Sequence, residues 1–216
     1  MTNPDLTLIA VLLDRSGSMQ SIKSDTEGGF DAFIAEQRTQ PGEAVVTLAQ
    51  FDNRYERIYS SVPVADVPAL ELVPRGSTAL LDGIGRLTTE IGEELAALPE
   101  EERPGRVQIV VITDGHENSS HEWSLEAVHE VIRRQEEVYS WDYYFLGANM
   151  DAISVGQSMG FVTEKSIRYS ASPDEVGAVF SAQSKLINRK RGVAPGAPVP
   201  GFSAKDRADA RGTGSE

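Results

Sequence analysis

Residues Leu6–Asp14 read LTLIAVLLD, an almost unbroken apolar run that ends in a carboxylate. A strand with one wet face alternates apolar and polar residues. A run that is apolar at nearly every position predicts a strand covered on both faces, the central strand of a parallel sheet. Ala44–Phe51 (AVVTLAQF) and Val107–Thr113 (VQIVVIT) repeat the pattern, and the second again runs straight into an acid, Asp114. Between them Leu80, Ile84, Leu87, Ile91, Leu95 and Leu98 advance in steps of four and three, which predicts a long helix. Phe30, Phe33 and Ile34 mark a helix that stops before Pro41-Gly42, and Leu125, Val128 and Ile132 mark another. Ser172-Pro173 is a start signal for a helix through about Asn188. After the Asp52-Asn53 turn, Tyr55–Ser60 alternates, which predicts a hairpin and one antiparallel strand. Tyr143–Leu146 and Ser166–Tyr169 are the remaining strands. Strands alternating with helices predict an α/β fold. It is a doubly wound, mostly parallel six-stranded sheet with one antiparallel edge strand and helices on both faces.

The 216 residues suit one domain with a tail. We place the domain at residues 1–191. Residues 192–216 open with GVAPGAPVPG and end in RGTGSE, a composition that predicts a mobile tail; Phe202 and KDRADAR are its one candidate for a short docked helix. The net charge of −13, from 33 acidic against 20 basic residues, disfavours nucleic acid and anionic membrane surfaces. With no cysteine there is neither a disulfide framework nor a thiolate metal site. The N-terminus lacks a basic signal region, and no apolar stretch approaches the ~20 residues of a membrane span. A cytoplasmic monomer is therefore expected.

In open α/β sheets, ligands gather beyond the carboxyl ends of the strands. There the sequence offers Asp14, Ser16 and Ser18 in VLLDRSGSMQ, Ser77, Thr78 and Asp82 in PRGSTALLDGIG, and Asp114 in TDGHENSS. All are oxygen donors, which suits Mg²⁺ or Mn²⁺ better than zinc or copper. Taken singly, Ser16 or Ser18 reads better as a helix cap and Asp14 as a turn brace. Asp82 fits a position behind Thr78 or at the helix dipole. His116 and Glu117 fit a surface loop, and Arg15 is expected to point away while Gly17 lets the loop turn. Arg189-Lys190-Arg191 suits a helix C-terminus or, less readily, an anion.

Together, DRSGSM, Thr78 in GSTALLDGI, and ITDG resemble the three-loop metal-ion-dependent adhesion site of von Willebrand factor A-type domains. The resemblance covers roughly residues 5–190, and EGGFDAFIAEQR, ITDGHENSS and FLGANMDA resemble stand-alone bacterial members. It implies a Rossmann-like fold. It also implies direct metal contacts from Ser16, Ser18 and, in the ligand-competent state, Thr78, with Asp14 and Asp114 acting through bound waters. The last coordination position would go to an acidic side chain of another protein. The implied function is that of a metal-dependent adaptor or scaffold, in bacterial stress or phage-related complexes, with no catalysis.

Enzyme readings find less support. GQSMG (Gly156–Gly160) matches a nucleophile elbow, but its strand ends about ten residues earlier and no histidine follows Ser158. No Walker-type or dinucleotide glycine pattern occurs. A strand-end aspartate can accept a phosphoryl group. Haloacid-dehalogenase-like phosphatases carry a second aspartate where this chain has Ser16. A metal-dependent phosphohydrolase is the remaining alternative.

Overall fold

The computed structural model describes residues 1–211. Six strands form one sheet: β1 (Asn3–Asp14), β2 (Glu43–Phe51), β3 (Tyr55–Pro63), β4 (Pro104–Thr113), β5 (Asp142–Ala148) and β6 (Ser166–Tyr169). Their order is β3-β2-β1-β4-β5-β6, parallel throughout except for β3 against β2. The expected fold class is the observed one, including the single antiparallel edge strand.

The apolar run of β1 feeds two cores at once because successive side chains point to opposite faces. Ile9, Val11 and Leu13 pack with Phe30, Phe33, Val179, Phe180 and Leu186, on the face covered by α1 (Lys23–Arg38) and α5 (Pro173–Arg191). Leu8, Ala10 and Leu12 pack with Leu80, Ile84, Leu87, Val128 and Ile132, on the face of α2 (Leu80–Ala97) and α3 (Leu125–Tyr139). A short helix, α4 (Ala152–Ser158), lies on this second face through Ala152. A fully buried leucine contributes about 1.5–3 kcal/mol, so a polar residue in β1 would damage whichever layer it faced.

The strand order reverses between β1 and β4, which are neighbours in space but lie on opposite sides of the β2–β3 excursion in sequence. Chains leave the two strands toward opposite faces there, and a crevice opens beyond their carboxyl ends. The register Leu13↔Ile112 brings Asp14 level with Thr113 at the mouth of this crevice.

After Gly192 the structure departs from the expected mobile tail. The segment turns back along the β6 edge and ends in α6 (Ala204–Arg211). Phe202 and Ala210 are buried in the α1/α5-side core. The Phe202 N–H donates to the Glu164 carbonyl at 2.8 Å, and Arg207 Nη1 donates to the Ser166 carbonyl at 2.7 Å. Ser203 and Asp206 close a reciprocal cap at the start of α6, with bonds of 2.9 and 3.1 Å. One aromatic anchor plus a capped helix outweighs the proline- and glycine-rich stretch before it. Residues 212–216 lie outside the described residues.

The basic cluster ending α5 is likewise committed within the fold. Lys190 Nζ sits 2.8 Å from Asp142 and donates to the Ala197 carbonyl at 2.9 Å. Arg191 donates to the carbonyls of Gln37, Pro41 and Gly42, and Arg189 reaches the Gly201 carbonyl. The anion-binding alternative for this cluster is thereby displaced by structural bonds.

Candidate metal centre

The first loop leaves β1 at Asp14, which is fully buried. Its Oδ1 accepts the Ser16 N–H at 2.6 Å, folding the chain back over the carboxylate. Its Oδ2 accepts the Thr113 hydroxyl at 2.6 Å, tying the ends of β1 and β4 together. Ser16 and Ser18 then place their hydroxyl oxygens 3.1 Å apart, and Ser18 Oγ donates to Asp114 Oδ1 at 2.6 Å. Ser16 opens a 3₁₀ turn over Gly17–Ile22 but makes no side-chain cap bond to it. Ser124 shows the contrast: its hydroxyl accepts the Ala127 N–H at 3.2 Å and caps α3. The helix-cap reading of Ser16 therefore fails here. Its hydroxyl faces Ser18 across the crevice. Gly17 has no positive φ; its N–H donates to the Gly76 carbonyl at 3.2 Å, so it joins the first loop to the second.

The second loop presents the buried Thr78. A Cβ placed on Gly115 would lie 2.7 Å from Thr78 Oγ1 and 3.5 Å from Asp14 Oδ2. The bare glycine therefore leaves a cradle open between the hydroxyl and the carboxylate. The structure thus brings Asp14, Ser16, Ser18, Thr78 and Asp114 to one mouth, deep at Asp14 and open to solvent at Ser18.

The electrostatics of this mouth are unusual. Burial pushes the Asp14 carboxyl up to about 6, against the lowering effect of the Thr113 hydroxyl and the Ser16 N–H. Burial likewise raises Asp114, against its bond from Ser18. Among the described residues, neither carboxylate has an ion-pair partner. Two nearby acids, three hydroxyls and an open cradle fit a small hard dication, whose charge would replace the missing counter-charge. No group of three or more His, Asp or Glu side chains placed to hold a metal converges anywhere among the described residues, this mouth included, so the hydroxyls must complete any metal site here.

Asp52, on the neighbouring strand end, is built the opposite way. Its carboxylate is fully buried and accepts from Arg15 Nε at 3.0 Å, Arg75 Nε at 2.7 Å and the Arg54 N–H at 2.7 Å. Burial raises it, but these partners outweigh burial and hold it below the usual carboxylate range. Arg15 does not point away as expected. It is buried and bridges Asp52 and Glu56, fixing the base of the first loop.

A second set of braces joins α2 to the third loop. Asp82 accepts the N–H groups of His121, Glu122 and Trp123 at 2.8–2.9 Å. Glu117 answers in the other direction, accepting the Leu81 N–H at 2.9 Å along with those of Ser119 and Ser120. Asn118 brackets Thr78 from both sides: its Oδ1 accepts the Thr78 N–H at 3.0 Å and its own N–H donates to the Thr78 carbonyl at 3.1 Å. Free N–H groups of the first helical turn need such acceptors. Glu117 is thus a loop brace rather than a plain surface residue, while His116 is exposed. Ser158, the candidate elbow nucleophile, ends α4 and donates to the Val155 carbonyl at 2.7 Å, as ordinary helix-end chemistry.

No family model matches the chain, and no curated protein matches it. Solved structures do. The fold is that of von Willebrand factor A-type domains. Proximal thread matrix protein 1 of the mussel byssus, in a structure described as having a zinc-occupied metal-ion-dependent adhesion motif, superposes with a TM-score of 0.62 at 16% identity, over 86% of this chain and 46% of that one. The von Willebrand factor domain of a type V pilus tip protein from Porphyromonas gingivalis gives 0.57 at 10% identity, over 88% of this chain and 97% of that one. A von Willebrand factor type A protein from Catenulispora acidiphila gives 0.55 at 13% identity, over 86% and 43%. The chain spans less than half the length of the mussel protein.

Proposed function

We propose that this domain binds another protein through a divalent metal, Mg²⁺ or Mn²⁺, held at the β1/β4 mouth. Ser16, Ser18 and Thr78 supply hydroxyl oxygens to the metal, and Asp14 and Asp114 supply the balancing charge. A carboxylate from the partner takes the remaining position. The metal then contributes a positive centre shared between two proteins. This domain's own residues hold the ion, keep one side of it open and make no bond to be broken. The observation that carries this reading is the pair of shielded carboxylates without a basic partner, beside an Asp52 that has two arginines. Asp52, the fully buried brace beside them, is neutralised by arginines, and the partly buried braces Asp82 and Glu117 each accept several backbone N–H groups instead. The mussel-protein structure with zinc at its adhesion motif supports a divalent ion at this place in the fold. No helix among the described residues is long and apolar enough to cross a membrane.

The test is capture of partners on immobilised protein in Mg²⁺ or Mn²⁺. The expected proteins elute with chelator and are absent from Asp14→Ala and Thr78→Ala columns. Retention of the same proteins in chelator and on both variants would overturn the proposal.

A further inference from the structure

Beside the metal mouth lies a small polar cavity of about 260 Å³ lined by Asn53, Arg54, Arg75 and Gly76. It is joined to the mouth through backbone. The Gly76 carbonyl receives the Gly17 N–H, between Ser16 and Ser18, and the Arg75 N–H donates to the Arg15 carbonyl at 2.8 Å. Thr78 follows two residues after Gly76. Gly76 has φ +68, and a Cβ there would meet Asn53 Oδ1 at 2.8 Å, so only glycine keeps this wall open.

The cavity's charge is opposite to that of the chain as a whole. Arg75 is anchored through Nε to Asp52, yet its side chain remains 55% exposed, and Nη1 makes no hydrogen bond among the described residues. Arg54 is exposed and has no ion-pair partner among the described residues. Arg15 and Arg75 already offset Asp52 and Glu56, which leaves Arg54 as net positive charge in a chain of −13. An anchored guanidinium beside a free one is suited to a carboxylate, which it can grip with two parallel bonds. The surrounding negative charge works against a polyanion such as nucleic acid.

We infer that Arg54 and Arg75 form a second acidic subsite, so that the preferred partner segment carries two acidic side chains, one for the metal and one for the arginines. This rests on the metal-bridged reading above and narrows it from any exposed carboxylate to an acidic peptide segment.

The test uses synthetic blocked peptides in a glycine-serine background, with one aspartate or with a second acidic residue placed two to five positions away. Binding is measured in Mg²⁺ and in chelator. For the wild type, the best two-acid peptide binds about tenfold tighter than the one-acid peptide. Arg54→Ala and Arg75→Gln reduce that preference to under threefold, while Arg133→Glu, a remote surface charge change, keeps it. A two-acid preference that is absent, or that survives in Arg54→Ala, with Mg²⁺ dependence intact, overturns the subsite alone. Binding that ignores chelator and Thr78→Ala overturns the metal reading beneath it.

Discussion

Replacing Asp14 by asparagine should stabilise the metal-free protein while abolishing its response to metal. In the folded chain burial raises this carboxyl from its ordinary 3.8 to about 6. At pH above 7 the folded state therefore carries a charge in an environment that disfavours it, at a penalty of about 3 kcal/mol. Asparagine is neutral and nearly the same shape. Both existing bonds can survive: Oδ1 still accepts the Ser16 N–H, and the new amide can donate to Thr113 Oγ1. The Thr113 hydroxyl is then free to donate to the Gly115 carbonyl, 3.1 Å away. The gain should follow pH with a definite sign. Between about 4 and 6 the folded wild type binds more protons than the unfolded chain, so its Asp14 contribution to stability falls as pH rises through that window. Asp14→Asn lacks that component. In chelator at pH 7.5 the variant should melt about 6–12 °C above the wild type, and the difference should close by pH 4. Thermal or urea melts across pH 4–8 in chelator measure this directly. A variant less stable than wild type at pH 7.5, or a difference independent of pH, would refute an unfavourably buried charge at Asp14.

Gly115→Ala should fill the cradle, because its Cβ would sit 2.7 Å from Thr78 Oγ1; Mg²⁺ affinity measured by calorimetry should fall at least tenfold with the fold retained by circular dichroism. Asp82→Ala removes three acceptor bonds from the third loop and should cost about 2–4 kcal/mol in denaturant melts, with faster amide exchange at residues 121–123. Phe202→Ala should cost about 3–5 kcal/mol and expose the β6 edge to amide exchange; an unchanged melt would mean that the C-terminal segment is not docked.

The sheet was legible because its evidence is local. LTLIAVLL declares burial on both faces, and the steps from Leu80 to Leu95 declare a helix, before any partner is known. Strand ends place Asp14 and Asp114, but Thr78 lies in the loop just before α2, well past the end of β3; the five were legible as a set only through their resemblance to the three-loop motif. Arg15 and Asp52 were not, since neither residue type says that they meet across 37 positions. Asp82 and Glu117 carry a partial signal, an acid in the first turn of a helix and an acid in a polar loop. Only the packed structure shows Glu117 accepting from Leu81, beside Asp82, and Asp82 accepting from residues 121–123 of Glu117's loop. The C-terminal segment held a usable cue in FSAKD, an aromatic followed by a capping pair, which the prolines and glycines before it outweighed. Burial of one phenylalanine is a tertiary event that composition does not report.

The most direct measurement is titration of metal-free protein with Mg²⁺ and Mn²⁺ by calorimetry, on wild type and on Ser16→Ala/Ser18→Ala. The expected result is one ion per wild-type chain and, at ten times the dissociation constant, about 1.4 kcal/mol of added stability, with neither signal in the double variant. Equal binding by both proteins, or no binding by the wild type, would contradict a metal site at the β1/β4 mouth.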